Sequence, residues 1–82
     1  MLNILIVAAT GGLGAFLVKE SISKGHTVSV LARDSAKIQS VLKDSLSEIA
    51  NIHIADATDI EAFQKAASGI DVIISGIIYN FI

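Results

Sequence analysis

Three glycines within four positions follow directly on an apolar run. Residues 2–9 read LNILIVAA, then come Thr10-Gly11-Gly12-Leu13-Gly14, then a helical stretch from Ala15 to Lys24. A strand that enters a glycine turn and leaves as a helix is built to hold an anion. The helix N-terminus offers unpaired N–H groups and partial positive charge. Glycines let a diphosphate approach the backbone without meeting a Cβ. Ala9-Thr10-Gly11-Gly12-Leu13-Gly14 fits G-x-G-x-x-G with Ala in the first glycine place. Counted from Ala8, the same turn fits G-x-x-G-x-x-G, again with Ala first. The flanking strand and helix, opening a βαβ unit, favour nucleotide binding. The competing reading is a structural turn whose glycines relieve crowding.

Other candidates sit where later strands end. Arg33 follows the second strand, in Ala32-Arg33-Asp34-Ser35. In dinucleotide-binding folds an acidic residue there accepts from the ribose 2′-hydroxyl of NAD, whereas Arg accommodates the 2′-phosphate of NADP. Arg33 therefore favours NADP(H) over NAD(H), against the plain alternative of a solvated loop charge. Asp34 is placed to cap the next helix. Asp56 closes the third strand, either to accept from an adenine amino group or to cap the loop backbone. Ser75-Gly76 ends the fourth strand, and its glycine would let the chain pass close to the nicotinamide-side ribose. His26 and His53 have no ligand-spaced companions and read as structural or exposed. Tyr79 is the only tyrosine, with no Lys after it. No nucleophile motif or metal constellation is apparent.

The elements that position these residues alternate. Leu2–Ala8, Thr27–Ala32, Asn51–Ala55 and Asp71–Gly76 are short and rich in Ile and Val, and read as strands. The first and last are nearly continuous in apolar residues, as central strands covered on both faces are. The second helix is expected from Ser35 to Ile49, with Ile38, Val41, Leu42, Leu46 and Ile49 on one inward stripe. Thr58-Asp59-Ile60-Glu61 has capping-box spacing. Ile60, Phe63 and Ala67 are expected to face inward in the helix that follows. Gly25 and Gly69 supply left-handed stops. The order βαβαβαβ predicts an α/β fold with right-handed crossovers. It is a truncated Rossmann-like three-layer domain on a parallel sheet of about four strands, in order 3-2-1-4. The first two helices then cover one face and only the third covers the other.

Composition narrows the function classes. The chain has 82 residues, 52% hydrophobic and 17% charged, with net charge −2 and no Cys. That makes one domain over residues 1–82, with no thiolate metal site and no disulfide. Without a basic cluster, nucleic acid is not an expected partner. The N-terminal apolar run is too short to span a bilayer and lacks the basic flank of a signal peptide, so a cytoplasmic protein with no membrane partner is expected.

Four landmarks in order resemble the atypical short-chain dehydrogenase/reductase family. They are the turn at residues 8–14, Val30-Leu31-Ala32-Arg33-Asp34-Ser35-Ala36-Lys37, Asp56-Ala57-Thr58-Asp59 and Gly69-Ile70-Asp71-Val72-Ile73-Ile74-Ser75. The similar branch is the NmrA-like, NAD(P)H-binding group, which includes flavin, quinone and biliverdin reductase-like proteins. The resemblance implies a Rossmann fold binding NADP(H). Gly11, Gly12, Leu13 and Gly14, with Thr10 ahead of them, would lie at the diphosphate. Arg33 would lie at the 2′-phosphate, Asp56 with Ala57 at the adenine, and Ser75 with Gly76 near the nicotinamide ribose. The later strands and substrate pocket of such proteins have no counterpart before Ile82.

The expectation is thus an NADP(H)-binding module related to reductases, with little catalysis of its own. Two alternatives stand beside it: a flavin- or quinone-type reductase completed by oligomerisation, and a non-enzymatic NmrA-like redox sensor or interaction module. A fourth strand and tail this apolar predict a homodimer, through the fourth-strand edge or the under-covered sheet face.

Overall fold

The computed structural model describes residues 1–56 and 58–76. Within them β1 (Asn3–Val7) leads to α1 (Gly12–Ser23), β2 (Thr27–Ala32) and α2 (Ser35–Val41). A short 3₁₀ segment (Lys43–Glu48), β3 (Asn51–Ile54), α3 (Ile60–Ala67) and β4 (Val72–Ser75) follow. The four strands form one sheet in the order β3-β2-β1-β4, every pair parallel. This is the predicted order. Ala57 and the tail 77–82, including Tyr79, lie outside the described residues, and so do the expectations placed on them.

Strand β1 is central because its residues are apolar on both sides. Ile4, Leu5, Ile6 and Val7 are all buried. Ile4 and Ile6 join Val28, Val30 and Ala32 of β2 against α1 and α2, where Val18, Ile38, Leu42 and Ile49 complete the larger core. Leu5, Val7 and Leu31 point the other way, onto Ala66 and Phe63 of α3. Alternation of faces along parallel strands produces this division. Each fully buried Leu or Ile contributes about 1.5–3 kcal/mol relative to exposure. At the bottom of the sheet β1 is tied on both sides. Leu2 N–H donates to His26 Nδ1 at 3.0 Å, and Asn3 N–H donates to Asp71 Oδ2 at 2.8 Å. His26 is thus structural.

Four expectations need correction. First, β1 stops at Val7 and α1 starts at Gly12, three residues before the expected start, because Ala8 adopts φ 58° and ends the strand. Gly12 and Gly14 lie inside the first helical turn, and Gly11 caps it.

Second, the helix expected over 35–49 breaks at Leu42. Ser and Asp in Lys43-Asp44-Ser45-Leu46-Ser47 compete with the helical backbone and favour the tighter turn. Ile38, Leu42 and Ile49 stay buried, while Val41 is left exposed.

Third, Thr58 does not cap α3. Asp59 does, its side chain accepting from Ala62 N–H at 3.2 Å. Asp is the stronger cap, and Thr58 is engaged with Asp56. The stripe shifts accordingly: Ala66 is buried and Ile60 is 72% exposed. Fourth, β4 is apolar but only partly covered: Ile74 packs against the larger core, while Val72 and Ile73 are exposed at the sheet edge. Among the described residues no helix is long and apolar enough to cross a membrane.

Contact requires one of the two glycines in the first turn of α1 and not the other. A Cβ on Gly14 would lie 2.4 Å from the Ala8 carbonyl oxygen and 2.8 Å from Ala9 Cα, whereas one on Gly12 would meet nothing within 4 Å. Replacing Gly14 by Ala should lower stability by about 1–3 kcal/mol through forced separation of helix and strand. Gly12→Ala should raise it by about 0.4–1 kcal/mol by stiffening the unfolded chain. Urea unfolding midpoints compare the two, and a Gly14→Ala variant as stable as the parent would contradict the packing argument.

Candidate functional site

The glycine turn is organised around the Ala8 carbonyl. Ala8 occupies the left-handed region at φ 58°, where a Cβ costs about 1–2 kcal/mol. This is the first glycine place of the longer pattern, so the geometry explains why glycine suits it. The conformation is held by Ala8 N–H donating to Leu31 O at 2.9 Å and by Gly11 N–H donating to Ala8 O at 3.4 Å. Gly11 then caps α1 in extended conformation with no side-chain cap, and the first turn carries no acidic residue. Ala15 N–H donates to Gly11 O at 2.9 Å. The N–H groups of Gly12, Leu13 and Gly14 therefore precede the hydrogen-bond ladder of the helix. No carboxylate stands in this first turn, so the helix N-terminus keeps its partial positive charge uncompensated.

A cavity of about 540 Å³ opens beside this turn, at the carboxyl ends of the strands. That volume falls within the usual range for small-molecule sites. Of the residues singled out from sequence, Thr10, Gly11, Arg33, Asp56 and Gly76 line it. Gly12, Leu13, Gly14 and Ser75 do not. Gly12 and Leu13 are exposed on the first turn of α1. Gly14 is buried against Ala8, a close helix–strand contact rather than a ligand-facing position. Ser75 ends β4, paired with Val7. Gly76 N–H donates to Val7 O at 2.8 Å, and a Cβ there would come within 2.9 Å of the Ala8 carbonyl.

Sequence reasoning missed three polar cavity residues as site candidates: Asp34, Lys37 and Thr58. For Lys37 a signal existed. Asp34 caps α2 through Oδ1, accepting from Ala36 N–H at 2.9 Å and Lys37 N–H at 3.3 Å. A cap at position 34 puts Lys37 in the first turn, returning it to the Arg33 side. For Thr58 the capping-box reading obscured the local turn.

Asp56 is the most constrained carboxylate in the wall. Its Oδ1 accepts from both the N–H and the Oγ1 of Thr58, each at 2.9 Å. These bonds hold its carboxyl below the ordinary value of 3.8, with a lesser contribution from Arg33. Arg33 Nη1 stands 3.8 Å from Asp56 Oδ2, with the two side chains 79% and 50% exposed. An ion pair that open adds little to stability and is free to exchange partners. Asp56 thus does cap its own loop, the second of the two roles weighed from sequence.

A second hollow of about 620 Å³ lies between α2 and β3, lined by Ile38, Leu46, Ile52 and Ile54. Among the described residues Lys43 is its only charged lining residue, beside the polar Ser35 and Gln39.

Comparison with known proteins follows this geometry. A family model described as the NmrA-like family matches residues 2–81. The chain is 32% identical over 82 residues to the chloroplastic divinyl chlorophyllide a 8-vinyl-reductase of Arabidopsis thaliana, covering 90% of this chain and 20% of that protein. It is 35% identical over 77 residues to phenylcoumaran benzylic ether reductase POP1 of Populus trichocarpa, covering 89% of this chain and 25% of that protein. The solved structure of AtPrR2 in apo form superposes with a TM-score of 0.77 at 28% identity, over 95% of this chain and 30% of that one. The same protein has been solved with NADP+ and (+)pinoresinol. The chain spans about a fifth to a quarter of the length of these curated relatives.

The Asp56 arrangement predicts a pH dependence. Its carboxyl is depressed in the folded state, so the stabilisation is present above the unfolded value and is lost as pH falls through the lower folded one. The stability difference between the parent and Asp56→Asn should be constant near neutrality and shrink once pH drops below 3.8. Urea unfolding across that range measures it; a difference that grows on acidification would refute the assignment.

Proposed function

The chain belongs to the NmrA-like family, and from that premise we propose that it is an NADP(H)-binding module that binds with little catalysis of its own. One observation carries the reading. A helix N-terminus free of acidic groups and two cations, Arg33 and Lys37, face one cavity at the carboxyl ends of parallel strands. Such crevices are where open α/β sheets take dinucleotides. The exposed first-turn amides of Gly12 and Leu13 hold the diphosphate, with Gly14 letting the helix start close against the strand. Arg33 and Lys37 hold the 2′-phosphate, the guanidinium offering a planar fork and the ammonium a point charge. Asp56 Oδ2, the oxygen not used by Thr58, accepts from the adenine amino group, and Gly76 keeps the far end open for the nicotinamide ribose.

A bound nicotinamide would supply hydride transfer. The titratable side chains lining the cavity among the described residues are Arg33, Asp34, Lys37 and Asp56. All follow β2 or β3, at the end of the sheet away from Gly76. They bind and orient; none of them stands at the nicotinamide end to move a proton.

Calorimetric titration with NADPH and NADH tests the reading. Both should saturate, with NADPH tighter. Arg33→Ala should weaken NADPH by about tenfold or more, the size of a lost charge-assisted hydrogen bond, and change NADH less than about twofold. NADPH oxidation with flavin or quinone acceptors should run at the protein-free rate. Absence of saturable binding by either cofactor would end the proposal.

A second reading, a homodimer, is favoured by Val72 and Ile73, which are 36% and 46% exposed on the edge strand β4. An apolar parallel strand bared at a sheet edge invites a partner. Sedimentation at micromolar concentration should give twice the 8.6 kDa chain mass; a monomeric mass would exclude it.

A further inference from the structure

We propose that Arg33 and Asp56 form an exchangeable counter-charge latch across the cavity, and that Asp56 thereby sets how far the site prefers a 2′-phosphorylated adenosine over an unphosphorylated one. The inference rests on the dinucleotide reading above and concerns the regulation of its selectivity.

The geometry is specific. Arg33 and Asp56 follow adjacent strands, β2 and β3, and line one cavity. Asp56 is fixed in place by Thr58, whose N–H and hydroxyl both donate to Oδ1 at 2.9 Å. The other oxygen, Oδ2, is left to Arg33 Nη1 at 3.8 Å. The carboxylate is thus the anchored partner. The guanidinium, 79% exposed on a long flexible stem, is the movable one.

Local charge makes the latch matter. The cavity wall carries two cations, Arg33 and Lys37, and two anions, Asp34 and Asp56. The Oδ1 of Asp34 is committed to the first amides of α2. Asp56 is the carboxylate paired with Arg33. A 2′-phosphate dianion arriving at Arg33 displaces a carboxylate already there, and its approach is opposed by that charge. A ribose carrying only hydroxyls meets no such competition. Asp56 therefore lowers the discrimination that Arg33 and Lys37 would otherwise provide, holding the site nearer to accepting both forms of the cofactor.

Adenosine 2′,5′-bisphosphate and 5′-AMP differ only in the 2′-phosphate and serve as probes. Asp56→Asn keeps an acceptor for Thr58 and for an adenine amino group while removing the charge. Asp56→Ser, which retains a short acceptor, is the second variant should the first fold poorly. Calorimetric titration of the 82-residue chain should show the bisphosphate gaining about two- to fivefold in affinity relative to 5′-AMP in either variant, the scale of one exposed ion pair no longer having to be broken. The ratio of bisphosphate to 5′-AMP affinity should rise by that factor, since adenine contacts are common to both probes and cancel. In an Arg33→Ala background the gain should fall by at least about half, because the guanidinium being released is gone.

An unchanged ratio of the two affinities overturns the inference while leaving the dinucleotide reading intact. So does a gain of equal size without Arg33, which would make Asp56 a direct repeller of phosphate. Failure of the parent chain to bind either nucleotide overturns the dinucleotide reading, and the latch with it.

Discussion

The structure depends on three stretches of backbone meeting without a side chain between them. The end of β1, the first turn of α1 and the residue after β4 converge on the Ala8 carbonyl oxygen. A Cβ on Gly14 would come within 2.4 Å of that oxygen and one on Gly76 within 2.9 Å. Close approach sets the angle at which α1 leaves the sheet. It keeps the start of α1 beside the strand ends, where Ala8, Thr10 and Gly11 line the cavity. A bulkier residue at either position would have to lift the helix or push β4 aside, and the first-turn amides would move with it.

The sheet order supplies the rest of the site. Because β2 and β3 lie on one side of β1, the residues that follow them, Arg33 and Asp56, arrive side by side although they are far apart in sequence. Because β4 lies on the other side, Gly76 closes the opposite wall. The crevice is therefore asymmetric, with charge gathered at one end and bare backbone at the other. An elongated ligand with a charged adenosine end and a flat ring at its other terminus suits that asymmetry.

Much of this was legible in the residues, and for identifiable reasons. Continuous apolar strands, glycine stops at Gly25 and Gly69, and spacings long enough for parallel crossovers determined the order β3-β2-β1-β4. Both glycines have positive φ, at 85° and 74°. Thr10 and Gly11 were singled out because their glycine cluster lies between a strand and a helix, and both line the cavity. Local competition was harder to read. Whether Thr58 or Asp59 caps α3 depends on whether Thr58 is already bonded to Asp56, a contact among neighbours that pattern counting does not weigh. The break at Leu42 hid for a similar reason: its apolar stripe continues through the 3₁₀ segment, so periodicity survives where the helix does not. Lys37 escaped because its relevance follows only once Asp34 is known to start α2.

The ties at the bottom of the sheet have a consequence for the order of assembly. Leu2 finds His26 only 24 positions on, whereas Asn3 finds Asp71 at a separation of 68. The β1–α1–β2 unit can condense as soon as it emerges from synthesis. The second flank of β1 stays open until β4 exists, and closing so long a loop is entropically late. In that interval the most apolar strand of the molecule presents a free edge to its surroundings. Quality control during biogenesis, more than the finished fold, is then the stage at which this small domain is most exposed to misassociation.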